Sequence, residues 1–268
     1  MAELRRGPGG RPMEHDLRAV LEAIRYGIEW RALPVDFPPW EAAYAFVERW
    51  NARGLPQALA DRLRGRLWVA HGRAELPTAG SIDSQSVTAA DTVGAASQGF
   101  DGGKKINGRK RHLAVDTLGL VLAVVVTAAS VHDRDGAFRL LAVLRERFST
   151  ISLVWADSGY AGRLVSWVHT VLALTLTIVK RSDDTTGFVV LPRRWVVERT
   201  FGWLLCYRRL VRDDERRPEH HEAMVLWATI AIMTRQLART QSGAPPHPRW
   251  GQPRTKVSAP ERQDRQAA

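Results

Sequence analysis

The sequence predicts a mixed α/β fold, a sheet with helices packed on its faces, preceded by a small helical module. Three observations predict it. Residues 14–76 carry apolar side chains at helical spacing, and from Ser81 the pattern changes to short β-prone runs alternating with helical ones. The chain has 268 residues, enough to bury one full α/β core and carry a small accessory unit.

The elements follow in order. Residues 1–13 are rich in Gly, Pro and Arg and read as flexible. A helical pattern from Glu14 places Leu17, Val20, Leu21, Ile24 and Ile28 at spacings of three and four, and the turn-rich stretch Arg31–Trp40 ends it. A second helical run carries Tyr44, Phe46, Val47 and Trp50. A third, Pro56 to Val69, carries Leu59, Leu63 and Leu67, with Arg62, Arg64 and Arg66 on other faces. Three short helices with basic flanks suit helix-turn-helix DNA binding, or simply an amphipathic bundle. Ile82–Val87 reads as a strand, Thr92–Gly108 as a polar, Gly-rich connection, and Arg111–Asp116 with Leu120–Val126 as a hairpin around Thr117–Gly119. Helix (135–148), strand (151–156), helix (163–171) and strand (174–179) follow, then a long helix from Arg194 to Val211 and a last apolar helix, Glu222–Leu237. Residues 240–268 have few large apolar groups and read as a disordered tail. The boundaries so drawn are 14–76 for the helical module and 77–239 for the sheet domain.

Composition narrows the partner. Lys and Arg number 39 against 28 Asp and Glu, a formal charge of +11. Such an excess favours a polyanion, with basicity for solubility as the plain alternative. The longest apolar stretch, Leu118–Val131, is too short for a bilayer span of roughly 20 residues, and membrane is not the expected partner. The opening MAELRRGPGGRP has no apolar signal core, and the single cysteine, Cys206, excludes an internal disulfide or a multi-cysteine metal site. The expected location is cytoplasmic.

Three acidic residues stand in three distinct contexts. Asp83 lies inside the strand Ile82–Val87, although Asp is depleted in strands. Asp157 closes the apolar run 151–156, at the carboxyl end of a strand, where open α/β sheets place ligands. Glu198 lies on a helix crowded with arginines, with Arg194, Phe201, Gly202, Leu205 and Arg209 on its side and Val196, Trp203, Tyr207 and Leu210 on another. Carboxylates from two strands and a helix suit a pair of divalent metals held against a phosphodiester. The ordinary readings are an edge aspartate, a helix N-cap and an i−4 ion pair from Arg194 to Glu198. Gly202 costs about 1 kcal/mol of helix stability relative to Ala, which suits a backbone or nucleic-acid strand passing close by. Two basic runs flank these acids. Lys104–His112 packs five Lys and Arg into nine residues without an acid, and residues 193–217 hold eight arginines against four acids. Cations beside glycines suit phosphate contact, a solvated charged face being the common alternative.

With these residues in place, the chain resembles the DDE transposases of bacterial insertion sequences, of the insertion-sequence-five type, from about Gly10 to Arg239. The motifs that carry the resemblance are Gly27–Pro34 with Pro39-Trp40 and Trp50, Ser81–Val87, Gly103–His112, Val115–Gly119, His132–Gly136, Ala156–Tyr160 and Arg194–Trp203. The family implies an RNase H-like catalytic domain behind a helical domain that recognises element ends. It implies Asp83, Asp157 and Glu198 as catalytic, metal-holding acids for two Mg2+ (or Mn2+) ions, and Arg194 as its arginine four residues before the glutamate. Lys104, Lys105, Arg109, Lys110, Arg111, Arg194, Arg199, Arg208 and Arg209 are then the expected phosphate contacts. The partners implied are double-stranded DNA, as terminal repeats and target, and a second copy of the chain. Leu191, Leu205 and Cys206 depart from the family's tyrosine, basic residue and arginine, and the N-terminus reads as short by a helical turn or more. A decayed copy that binds DNA without cutting it, and a nuclease that does not join strands, are the rival readings.

Overall fold

The computed structural model describes residues 15–179 and 194–242. Residues 1–13 and all but the first three residues of the expected tail lie outside that range. Those three, 240–242, are helical.

The chain opens with three helices, α1 (Leu17–Tyr26), α2 (Trp40–Ala52) and α3 (Leu55–Ala70). Asp16 caps α1 by accepting from the Arg18 amide at 2.9 Å, and Gly27 closes it in the left-handed region at φ 64°. The segment has no separate core. Val20, Ile24, Val47, Trp50, Leu67 and Trp68 pack in one cluster with Met224, Val225 and Trp227 of the last helix and with Leu113, Val115 and Val124 of the sheet. Arg64, read from the sequence as one of the basic flanks, is buried. It donates to the Val121 carbonyl at 3.1 Å and to Asp61 at 2.6 Å, and its guanidinium lies 4.7 Å from the Phe148 ring centre.

Among the described residues the sheet has six strands: β1 (Ala79–Thr88), β2 (Gly99–Asp101), β3 (Ile106–Asp116), β4 (Val121–Ala128), β5 (Leu153–Ala156) and β6 (Thr175–Ile178). The order is β2-β3-β1-β5-β6, with β4 also paired to β3. β1, β2 and β4 run antiparallel to β3, while β1, β5 and β6 are mutually parallel. This mixed sheet with helices on its faces is the RNase H-like architecture the sequence led us to expect. Side chains alternate across the strands. Ile82, Ala114 and Val125 meet Leu140, Leu141 and Leu144 of α4 (Asp133–Arg147) and Leu164 and Val168 of α5 (Arg163–Leu172). Leu113, Val115 and Val124 face the opposite way, toward α6 (Trp195–Leu205), α7 (Arg208–Val211) and α8 (Pro218–Ser242).

The β3–β4 hairpin falls where expected. Asp116 accepts from the amides of Leu118 and Leu120 at 2.8 and 2.9 Å and from the Trp68 indole at 2.6 Å, and Gly119 takes φ 79°. Two expectations need correction. β3 begins at Ile106 rather than Arg111, so the cationic run continues the strand. The long helix breaks at Cys206–Tyr207, where Tyr207 is extended (φ −101°, ψ 122°), so Arg209 does not share a helix with Glu198. Among the described residues no helix is long and apolar enough to cross a membrane.

Candidate active site

Parallel pairing of β5 with the first residues of β1 sets the carboxyl end of β5, the position at which open sheets gather ligands, beside the middle of β1. Asp83 sits on β1 and accepts from the amide of Ser84 at 2.7 Å. Asp157 follows β5 directly and accepts from the Gly159 amide at 2.8 Å, capping a single 3-10 turn, Ser158–Tyr160. Asp157 thus caps this turn and not the following helix, whose N-cap position is Gly162, and its second carboxylate oxygen faces the site. Glu198 comes from the first turn of α6, which buries Val196, Val197, Thr200, Phe201 and Leu204. Phe201 thus belongs to the packing face, and Trp203 stays half-buried at the surface.

The three acids converge on one guanidinium. Arg194 Nη2 lies 3.2 Å from Glu198 Oε1, 3.6 Å from Asp83 Oδ2 and 3.7 Å from Asp157 Oδ2. The i−4 pair read from the sequence is one arm of this fork. Exposure rises from Asp83 at 18% to Asp157 at 33% and Glu198 at 45%, so the site opens outward from the strand aspartate. Burial pushes the Asp83 carboxyl up to about 6, against the Ser84 amide and Arg194, which favour its charge, and with help from neighbouring Asp157.

The expected phosphate contacts divide into two groups. Lys104, Lys105 and Arg208 are exposed, and Lys104 Nζ stands 3.4 Å from the Ser84 carbonyl, next to Asp83. Arg199 is half-buried between the rings of Trp195 and Trp203, 4.3 and 4.5 Å from their centres, and donates to the Leu118 carbonyl at 2.7 Å. Arg109, Lys110, Arg111 and Arg209 are buried and internally paired, which overturns their assignment to DNA phosphates. Arg109 pairs with Asp213 at 3.0 Å and donates to the carbonyls of Glu215 and Arg216. Arg111 holds Gln85 and the Leu210 carbonyl. Arg209 pairs with Glu215 at 3.0 Å and lies over Trp30. Lys110 bridges Asp133 at 2.8 Å and Asp101 at 3.3 Å. The physical reason is the sheet. β3 has a partner on each edge and helices over both faces, so a cation on it meets protein rather than solvent.

Sequence reasoning missed Asp101, Ser86 and the Lys110 clamp. The available signal was Asp101 three residues before the first turn cation, Lys104, in a run otherwise without acids. Among the described residues nothing lies within 4 Å of the position a Cβ at Gly202 would take.

Two family models match the chain. "Transposase DDE domain" matches residues 75–234, the sheet and all three acids. The chain belongs to this transposase family. "Putative transposase of IS4/5 family" matches residues 1–60, so the transposase resemblance extends into the amino-terminal helices. A "Putative transposase for insertion sequence element IS402" from Burkholderia cepacia is 29% identical over 137 residues, 46% of this chain and 64% of that protein.

The site's donor chemistry suits a hard divalent cation, since all three groups offer carboxylate oxygens and none offers sulfur or nitrogen. Among the described residues no three acidic, histidine or cysteine side chains are grouped so as to hold one ion, and the three carboxylates are each paired with Arg194.

Proposed function

We propose that this transposase binds the ends of its insertion sequence and cuts and joins DNA strands by two-metal phosphoryl transfer. The observation that carries the reading is the convergence of Asp83, Asp157 and Glu198, within 3.7 Å of one arginine nitrogen, where the carboxyl end of β5 meets the middle of β1. Asp83 would be shared between two Mg2+ (or Mn2+) ions, with Asp157 and Glu198 each holding one. Bound there, the ions supply Lewis acidity to the scissile phosphate and lower the pKa of an attacking water or 3′-hydroxyl.

The protein's own groups do the rest. β1, β5 and α6 fix three like charges in one pocket, and Arg194 offsets their mutual repulsion. Lys104, Lys105, Arg194, Arg199 and Arg208 would contact phosphates, which positions DNA without reading its sequence. Gly202 leaves open surface one helical turn from Glu198, room for a strand to approach. A reaction on two element ends calls for two active sites, so a dimer on DNA is the expected assembly, working at the nucleoid.

The deciding experiment is cleavage of a labelled duplex carrying this element's own end, with Mg2+ or Mn2+, by wild type and by Asp157→Ala. Metal-dependent nicking by wild type, lost in the variant, supports the reading. Binding without nicking by either protein favours a decayed copy that only binds DNA, and nicking without strand transfer favours a plain nuclease.

A further inference from the structure

The turn at residues 101–105 is built more firmly than a solvated basic loop needs. Asp101 Oδ1 accepts from the amides of Gly103 and Lys104, both at 3.1 Å, closing the turn on itself. Its other oxygen accepts from Ser86 Oγ at 2.6 Å and pairs with Lys110 Nζ at 3.3 Å. Lys110 is buried and is anchored again by Asp133 and by the Val131 carbonyl, each at 2.8 Å. The turn is thereby tied to β1 through Ser86, to β3 through Lys110 and to the start of α4 through Asp133. The hydrogen bond from Ser86, the Lys104 amide and the Lys110 charge hold the Asp101 carboxyl well below the usual carboxylate range. Lys105 takes φ 54°, a conformation uncommon for a side-chain-bearing residue, and the turn aims Lys104 back at the Ser84 carbonyl. The Lys104 ammonium is therefore anchored at the residue after Asp83, while the other exposed candidates, Lys105 and Arg208, have no such tether among the described residues.

We propose that Lys104 is a catalytic residue of the transposase, whose ammonium hydrogen-bonds a non-bridging oxygen of the scissile phosphate, and that Asp101 and Lys110 are its positioning residues. This rests on the two-metal reading of the site. A preorganised donor aimed at charge that develops in the transition state acts on the chemical step more than on binding. Lysine suits this role as a point charge on a flexible stem that needs an external brace. Asp101 and Lys110 supply the brace.

The test has two arms. In the first, full-length protein bound to a duplex carrying the element's own end, with Ca2+ in place of Mg2+, is treated with an amine-acetylating reagent and mapped by mass spectrometry. Lys104 reacts in the free protein and is protected in the complex, while Lys110 is unreactive in both. A Lys104 that stays equally reactive in the complex overturns the proposal, whether or not wild type cleaves. In the second, single-turnover nicking with Mg2+ is measured at saturating protein. Lys104→Ala lowers the rate constant about 100-fold with Kd for the duplex changed less than about threefold, and Lys104→Arg restores part of the rate. Asp101→Asn lowers the same rate constant about tenfold at a temperature where the variant is still fully folded, and partly exposes Lys104 to acetylation. A loss confined to Kd in Lys104→Ala, or in Asp101→Asn a loss of rate only in step with a fallen melting midpoint, overturns it. Failure of wild type to nick at all sinks the two-metal reading instead, and the protection arm still decides where Lys104 sits.

Discussion

The cationic run from Lys104 to His112 divides into two regions of opposite use. Lys104 and Lys105 lie on an exposed turn at the mouth of the acid site, whereas Arg109, Lys110 and Arg111 lie within β3 and are buried. Residue type and local sequence are nearly the same in both. Strand pairing makes the difference: the ladder of β3 on β1 runs back to Gly108, so every cation from there on enters the interior and must find an internal partner. A charge run therefore reports on partners only after its secondary structure is known.

The comparison breaks first at Arg109. Arg109→Ala leaves Asp213 buried beside His221 without its arginine partner, and loss of one member of a buried pair costs about 3–5 kcal/mol. Urea unfolding should show that loss. A cost below 1 kcal/mol would mean the pair is solvated and the division false. Arg111→Ala should cost less, about 1–3 kcal/mol, since it orphans the Gln85 side chain and the Leu210 carbonyl rather than a charge.

Acid sharpens the same contrast. Asp213 is buried, which by itself raises its carboxyl, yet the His221 hydrogen bond and charge and the Arg109 charge hold it below the usual range. A carboxyl depressed in the folded state contributes stability above its unfolded pKa, near 4, and that contribution is lost as pH falls through the folded value. Stability measured by urea unfolding should thus fall from about pH 4 downward, and Asp213→Asn should flatten that limb. The smallest effect belongs to the exposed pair: Lys105→Ala should leave the unfolding midpoint within error, weaken DNA binding alike on every duplex tested, and lower the salt slope by about one.

Much of the site was legible in the sequence. Asp83, Asp157 and Glu198 could be picked out by context, and Arg194 by its i−4 spacing, because those signals are local. Asp157 divides its carboxylate, since one oxygen caps the turn and the other faces Arg194. The helix break at Tyr207 was hidden in a run of good helix formers, and only the packing of Leu210 and the pairing of Arg209 with Glu215 set it.

By itself the sequence determined the alternation of strands and helices, the hairpin at Asp116–Gly119, the basic excess and the three acids, all of which depend on neighbours within a turn or two along the chain. The tertiary structure alone decided that α1–α3 share their core with α8, that three carboxylates meet on one arginine, and which cations face solvent. These depend on residues far apart along the chain, and no local pattern encodes which distant partner a buried charge will find.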